Sequence, residues 1–328
     1  MLTAIRKILL LPLFRLVWTL LLALGAFRLV AWLFPGLARL PNIALAGAAR
    51  NALLLTIVLA LSLWLFERRS LSDVGLAPAR AIPDTTRGFL LGAAMLTAAV
   101  GFLALVGSYS VAGWAPLPGG TSRGELLLRV VLLLFCVGVA EEVAVRGIVF
   151  RLLEQGLGTW LAIAISALFF GFGHLNNPGA TWVSSVAIAI EAGTLLAAMY
   201  VATRSLWLPI GVHWAWNLFE GPVWGSAVSG NGLTALAEAR FRGPELLTGG
   251  AFGPEAGLPT VVLGGALGIV FLVLAVRRGQ IITPRWMWWL YERVRPVPLL
   301  EPAPAIADAP AGGLSAPGQV EERRPAPM

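Results

Sequence analysis

The chain has 328 residues, 58% of them hydrophobic and 12% charged, with a mean hydropathy of +0.80. Soluble domains average about 45–50% apolar and about 25% charged residues, so a soluble enzyme, a disordered chain and a coiled coil are all excluded. The net charge of +7 does not mark a nucleic-acid binder, because the basic residues are scattered at the ends of apolar runs and form no stripe. What remains is an all-α, polytopic transmembrane helical bundle.

A helix needs roughly 20 residues to cross a bilayer core. Apolar runs at 10–34, 48–66, 88–112, 126–150, 159–174, 182–202, 206–224 and 258–276 predict about eight spans. Seven remain if the first run fails to cross. That run holds Arg15 and Arg28, and the uncharged stretch between them covers only about 18 Å at 1.5 Å per residue, so it spans only if both arginines snorkel to opposite interfaces. It is too long and too charged for a cleaved signal peptide. Residues 225–257 are Gly-rich and polar and read as an outer loop with one short helix near Leu233 to Phe241. Trp286, Trp288, Trp289 and Tyr291 among Arg285, Arg293 and Arg295 read as an interfacial helix, and the Pro/Ala-rich tail from 296 reads as disordered. The chain therefore divides into N-terminal spans (1–69), a core (70–224), the outer loop (225–257), a last span with its interfacial helix (258–295) and the tail (296–328). No internal repeat, phosphate loop or dinucleotide fingerprint is present.

With the N-terminus inside, Arg6, Lys7, Arg68, Arg69, Arg80, Arg87, Arg151, Arg204, Arg277 and Arg278 fall in cytoplasmic segments. Arg39, Arg50, Arg123, Arg240 and Arg242 fall opposite. This bias puts both termini in the cytoplasm. A single lysine among so many arginines, with abundant Ala and Gly, points to a GC-rich bacterial genome, hence to a bacterial plasma membrane. One cysteine, Cys136, rules out a disulfide framework and a cysteine-rich metal site.

A charge at the bilayer centre costs at least about 2.5–3.5 kcal/mol and marks function by default. Glu141, Glu142, Arg146 and Glu191 lie inside predicted spans, and Glu220 is borderline. Glu142 and Arg146 are four apart, hence on one helical face and able to pair. Glu141 lies about 100° around the helix, outside that pair, and is left as a candidate general base. The plainer alternative is a buried ion pair that locks two helices. The only two histidines, His174 and His213, occupy two further spans. His174 follows Phe170 by four residues, and Gly171 and Gly173 would admit a close neighbour. His213 precedes Asn217 by four, and an Asn amide can stabilise an oxyanion or fix a histidine tautomer. A helix-end cap and an ordinary interhelical hydrogen bond are the bland readings of these two pairs. One shared site explains all three spans more economically. Glu191 would pair with Arg146, act as an acid or face a water-filled cavity. One geometric difficulty stands: His174 lies about 24 Å from Gly158, but Glu141 lies only about 15 Å from Arg151, at 1.5 Å per residue.

The ordered set Glu141-Glu142-Val-Ala-Val-Arg146, Phe170-Gly-Phe-Gly-His174 and His213-Trp-Ala-Trp-Asn217 resembles the CAAX-protease and bacteriocin-processing (CPBP, or Abi) group of intramembrane peptidases. Ser72-Asp73-Val74-Gly75-Leu76 and Thr203-Arg204-Ser205-Leu206-Trp207 are similar to flanking segments of that group. The resemblance covers about 70–224. It implies a hydrolase that cuts a peptide bond within or beside the membrane, acting on a membrane-associated or lipidated peptide or protein among membrane lipids, and not on nucleic acid. Carried over by position, Glu141 activates water, Glu142 and Arg146 orient the site, His174 assists Glu141, and His213 with Asn217 positions the water or stabilises the oxyanion. No cofactor is expected, since glutamate-activated water needs none. Zinc held by Glu141, His174 and His213, with an open position for water, is the alternative. The competing functions are a non-catalytic bacteriocin-immunity or scaffold protein and an ion-coupled transporter.

Overall fold

The computed structural model describes residues 11–40, 44–117, 119 and 121–284, which lie within one unit, Met1–Trp288. The expected interfacial helix beyond Arg285 and the tail fall outside the described residues. Each of the eight predicted runs holds a helix among the described residues. These helices are α1 (Pro12–Leu33), α2 (Leu45–Ser62, prolonged by a π-helical turn Leu63–Glu67) and α3 (Pro78–Leu105). Next come α4 (Arg123–Glu142, prolonged through π-helical Val143–Phe150 and Arg151–Leu157) and α5 (Thr159–Gly173). The last three are α6 (Trp182–Ile188, π-helical Ala189–Thr194, Leu195–Thr203), α7 (Trp207–Leu218, π-helical Phe219–Val223) and α8 (Leu258–Arg277). Five of them are long and apolar enough to cross a membrane: α1, α2, α3, α6 and α8.

The burial pattern is inverted relative to a soluble protein. Large apolar side chains face outward, among them Leu20 and Leu24 on α1, Leu53 and Ile57 on α2, Leu161 and Ile165 on α5, and Ile269 and Val273 on α8. Glu142, Arg146, Glu191 and Glu220 are buried. Apolar outside with charge inside is the arrangement that a lipid solvent selects. The protein is a multi-pass membrane protein.

Two expectations are corrected. The third run stops at Leu105, turns at Gly107 (φ +76°) and continues as strand β1 (Tyr109–Trp114). The helix expected near Leu233 to Phe241 is instead strand β4 (Ala237–Phe241), antiparallel to β1. A second small pair joins β2 (Ala227–Val228) to β3 (Asn231–Gly232). Alternation in β1 and β4 is too brief to separate strand from helix, and the two lie over 100 residues apart in the chain, so pairing decided the outcome.

Small residues bring the core helices together. An added Cβ on Gly88 or Gly92 of α3 would stand 2.2 Å from Leu208 O or 2.5 Å from Val212 O, and one on Gly211 of α7 would stand 2.3 Å from Thr85 O. The two backbones therefore touch, as small-residue spacing permits in membranes, and this contact fixes α7. Gly171 does the same for α5 against α6, where a Cβ would meet Ser185 O at 2.1 Å. Gly173 has open space around it and serves no such contact. The two family-like flanks meet each other: Leu206 N donates to Gly75 O (2.9 Å) and Trp207 Nε1 to Ala77 O (3.0 Å).

At the same end of the bundle, Glu67 binds Arg151 (2.8 Å) and Arg15 (3.3 Å), and Glu154 binds Arg204 (2.6 Å). Arg15 also donates to Gln155. Arg15 is 8% exposed and docks the start of α1 onto α2 and α4.

Candidate active site

Four of the six predicted residues, Glu141, His174, His213 and Asn217, line two adjoining cavities, and Glu142 and Arg146 lie buried behind them. Three elements supply them: α4 gives Glu141, Glu142 and Arg146, the end of α5 gives His174, and α7 gives His213 and Asn217. The depth difficulty disappears because α4 does not end at Arg151. It runs on to Leu157, and the chain reverses at Gly158 (φ +80°). Glu142 and His174 each lie 16 residues from that glycine, one on either side, so two antiparallel helices carry them to a similar height.

Glu142 Oε1 accepts from Arg146 Nη1 (2.8 Å) and from His213 Nδ1 (2.9 Å). Glu142 and Arg146 are fully buried. A carboxylate ion-paired to arginine has no proton to give, so His213 Nδ1 carries the hydrogen and Nε2 is turned to the other side. There it lies 3.7 Å from Glu141 Oε2. Arg146 is anchored in turn by Ala192 O (3.0 Å) and Gly193 O (3.2 Å) in the π-helical part of α6. Phe170 is the hub behind this array. The Arg146 guanidinium stands 4.6 Å over its ring, and the His174 and His213 rings lie 5.0 and 6.0 Å away, edge to face.

His174 Nδ1 stands 2.8 Å from Phe170 O. A carbonyl only accepts, so this histidine too is protonated at Nδ1 and keeps Nε2 free. Its bland role as a helix-end cap is thus real, and it coexists with a place in the site. Because Glu142 sets the tautomer of His213, Asn217 is released from that task and faces the cavities.

Among the described residues, three of the four π-helical stretches contain or adjoin an ionisable group of this region. Val143–Phe150 follows Glu141-Glu142 and holds Arg146, Ala189–Thr194 holds Glu191, and Phe219–Val223 holds Glu220. A π turn inserts a residue into the helical ladder and re-aims the side chains around it, which is why such turns collect at functional sites.

The larger cavity, about 600 Å³, is walled by Glu141, His174, His213 and Asn217 on one side. Apolar residues such as Phe27, Leu55, Leu133 and Val137, with the polar Asn51, Asn177 and Asn231, belong to the rest of its lining. The smaller, about 30 Å³, shares His174, His213 and Asn217 and adds Glu191, Glu255 and Trp216. Of the alternatives for Glu191, facing a cavity is the one observed; Arg146 hydrogen-bonds the backbone beside it. Glu255 and the depth of Glu220 went unread in the sequence. Glu220 carried the signal of an acid within an apolar run, whereas Glu255 sits in a polar loop and carried none.

Both imidazoles, with Nδ1 anchored and Nε2 free, have the orientation of metal-binding histidines. Among the described residues, however, no group of three His, Cys, Asp or Glu side chains is placed to hold one ion.

Residues 123–219 match a family described as Rce1-like, type II CAAX prenyl endopeptidase Rce1-like. Over that segment the chain is similar to CAAX-type endopeptidases. The matched segment begins with α4 and ends just past the last turn of α7, so it contains all six site residues, and it is narrower than the 70–224 read from the sequence. No curated protein matches the chain.

Proposed function

We propose that the protein is an intramembrane endopeptidase of a bacterial plasma membrane, with both termini cytoplasmic, that hydrolyses a peptide bond in a membrane-associated or lipidated substrate. The observation that carries this reading is Glu141 at the wall of a large cavity, facing an imidazole that Glu142 and Arg146 hold from behind. Glu141, half-exposed to that cavity, takes a proton from a water molecule as it attacks the scissile carbonyl. His213 Nε2, once protonated, and the Asn217 amide donate to the oxyanion that develops. His174 Nε2 helps hold the water. Glu142 and Arg146 fix the ring of His213 so that no reorientation is needed during the reaction. The apolar wall of Phe27, Leu55, Leu133 and Val137 suits a lipid chain or apolar side chains of the substrate.

The test is Glu141→Gln, which keeps shape and removes the base. With purified full-length protein in detergent and a quenched fluorescent peptide carrying a prenylated cysteine motif, we expect kcat to fall by about 10²–10⁴-fold with an unchanged melting temperature. Equal cleavage by the variant would remove Glu141 from its role. Loss of wild-type activity with a chelator, restored by zinc, would replace the metal-free mechanism. A folded wild type that cleaves nothing would favour the immunity or scaffold function.

A further inference from the structure

Behind the two imidazoles lies a group of acids that the proposed reaction leaves unused. Glu191 reaches in from α6 and Glu255 from the loop before α8, and both line the small chamber together with His174 and His213. Glu220, from the π turn of α7, lies outside the chamber wall and accepts from Glu255 N at 3.2 Å; its carboxyl lies against that of Glu255. All three acids are at least 97% buried. Arg146 is the cation that faces Glu191 from α4, and it is already committed to Glu142.

The chamber needs solvent. Glu255 Oε1 and Trp216 Nε1 belong to residues of its wall, are buried, and have no hydrogen-bond partner among the described residues. An unpaired acceptor and an unpaired donor beside one polar void imply ordered water. The free volume of about 30 Å³ admits one or two water molecules, each needing at least about 10–15 Å³.

We infer that this chamber is a proton store for the reaction, in which the Glu220–Glu255 pair holds one proton between two carboxyls and chamber water connects it to His174 and His213. The inference rests on the peptidase reading. Two carboxylates in contact inside a protein do not both ionise, and burial pushes the Glu255 carboxyl up. In hydrolysis the attacking water gives its hydroxyl to the carbonyl carbon and one proton to Glu141. The store first charges an imidazole at Nε2; as the C–N bond breaks, the leaving nitrogen takes that proton and the imidazole returns to its Nδ1-protonated form. The proton held by Glu141 then returns to the store, so no external donor is consumed. Glu255 and Glu191 are positioning residues in this scheme, acting through the histidines. Both Glu220 and Glu255 lie outside the matched segment 123–219.

The experiment uses the full chain in detergent and the same prenylated peptide. Glu255→Gln should lower kcat by about 10-fold or more, the low end of general acid–base effects. It should leave KM unchanged and flatten the alkaline fall of kcat, with Glu255→Asp recovering part of the loss. Infrared spectra at neutral pH should show a protonated carboxyl band in the wild type that is missing from Glu255→Gln. A wild-type kcat and pH profile in both Glu255→Gln and Glu191→Gln, or absence of the band from the wild type, would overturn the store. If the wild type cleaves no peptide, the peptidase reading fails, and the infrared band still decides whether the pair holds a proton.

Discussion

Two buried ionic networks stand at different heights in the same bundle, and their charge balance is opposite. At one end, Glu67 and Glu154 are surrounded by Arg15, Arg69, Arg151 and Arg204, with Gln155, Thr159 and Gln280 completing the hydrogen bonds. Around the cavities, Glu141, Glu142, Glu191, Glu220 and Glu255 face Arg146 and two imidazoles. Each acid of the first network is ion-paired, and the network ties the ends of α1, α2, α4, α5 and α6 to one another. The second leaves acids unpaired and polar atoms unsatisfied, including Glu142 Oε2, Glu220 Oε2 and Glu255 Oε1. A network whose acids all have cations is a clasp, even with Arg15 Nε and Arg151 Nη2 left without a hydrogen-bond partner among the described residues. An acid-rich, unsatisfied one is poised to bind water and move protons.

This contrast can be broken by substitution. The largest effect is expected from Arg146→Ala, which strands Glu142 without its partner inside the protein. Loss of one member of a buried pair costs about 3–5 kcal/mol, so the variant should melt much earlier in detergent and cleave nothing. Glu67→Gln should also destabilise, by about 3 kcal/mol, because two largely buried arginines lose their counterion. Its kcat and pH profile should match the wild type at temperatures where it stays folded. A shifted pH profile in Glu67→Gln would erase the distinction between the networks.

The smallest effect is a pH slope. Burial raises the folded-state pKa of Glu255 above its ordinary value, so the folded chain holds that proton more tightly than the unfolded one. The resulting stabilisation is complete below the ordinary carboxylate range and is lost as pH rises through the folded-state value. Thermal melts from acid to alkaline pH should show a decline in the wild type that is shallower in Glu255→Gln. Parallel slopes would argue that the pair makes no contribution.

Legibility followed the range of the interaction. Glu142 with Arg146, Phe170 with His174, and His213 with Asn217 could be read because each pair recurs one helical turn apart within an apolar run. The role of Phe170 as the hub between Arg146 and both imidazoles could not, because those groups come from three helices. Gly88 and Gly92 have the spacing of a helix–helix contact that was readable yet went unread. The docking of Arg15, the β1–β4 pair and the approach of Glu255 depend on partners 35 to 140 residues away in the chain and leave no periodic trace. The π turns depend on how neighbouring helices press on the backbone, which no local propensity records.

Hydropathy by itself determined that the chain is a bundle of apolar helices, because lipid demands internally satisfied backbone over about 20 residues at a time. The placing of acids, an arginine and two histidines on those helices likewise followed from the sequence, since burying such groups is too costly to be incidental. Only tertiary structure decided which carboxylate faces a cavity, which one grips His213, and that three further acids stand behind them. Those outcomes depend on helix heights, on glycine contacts at which two backbones meet, and on a loop folding back over the site, all of which are settled by packing between segments remote in sequence.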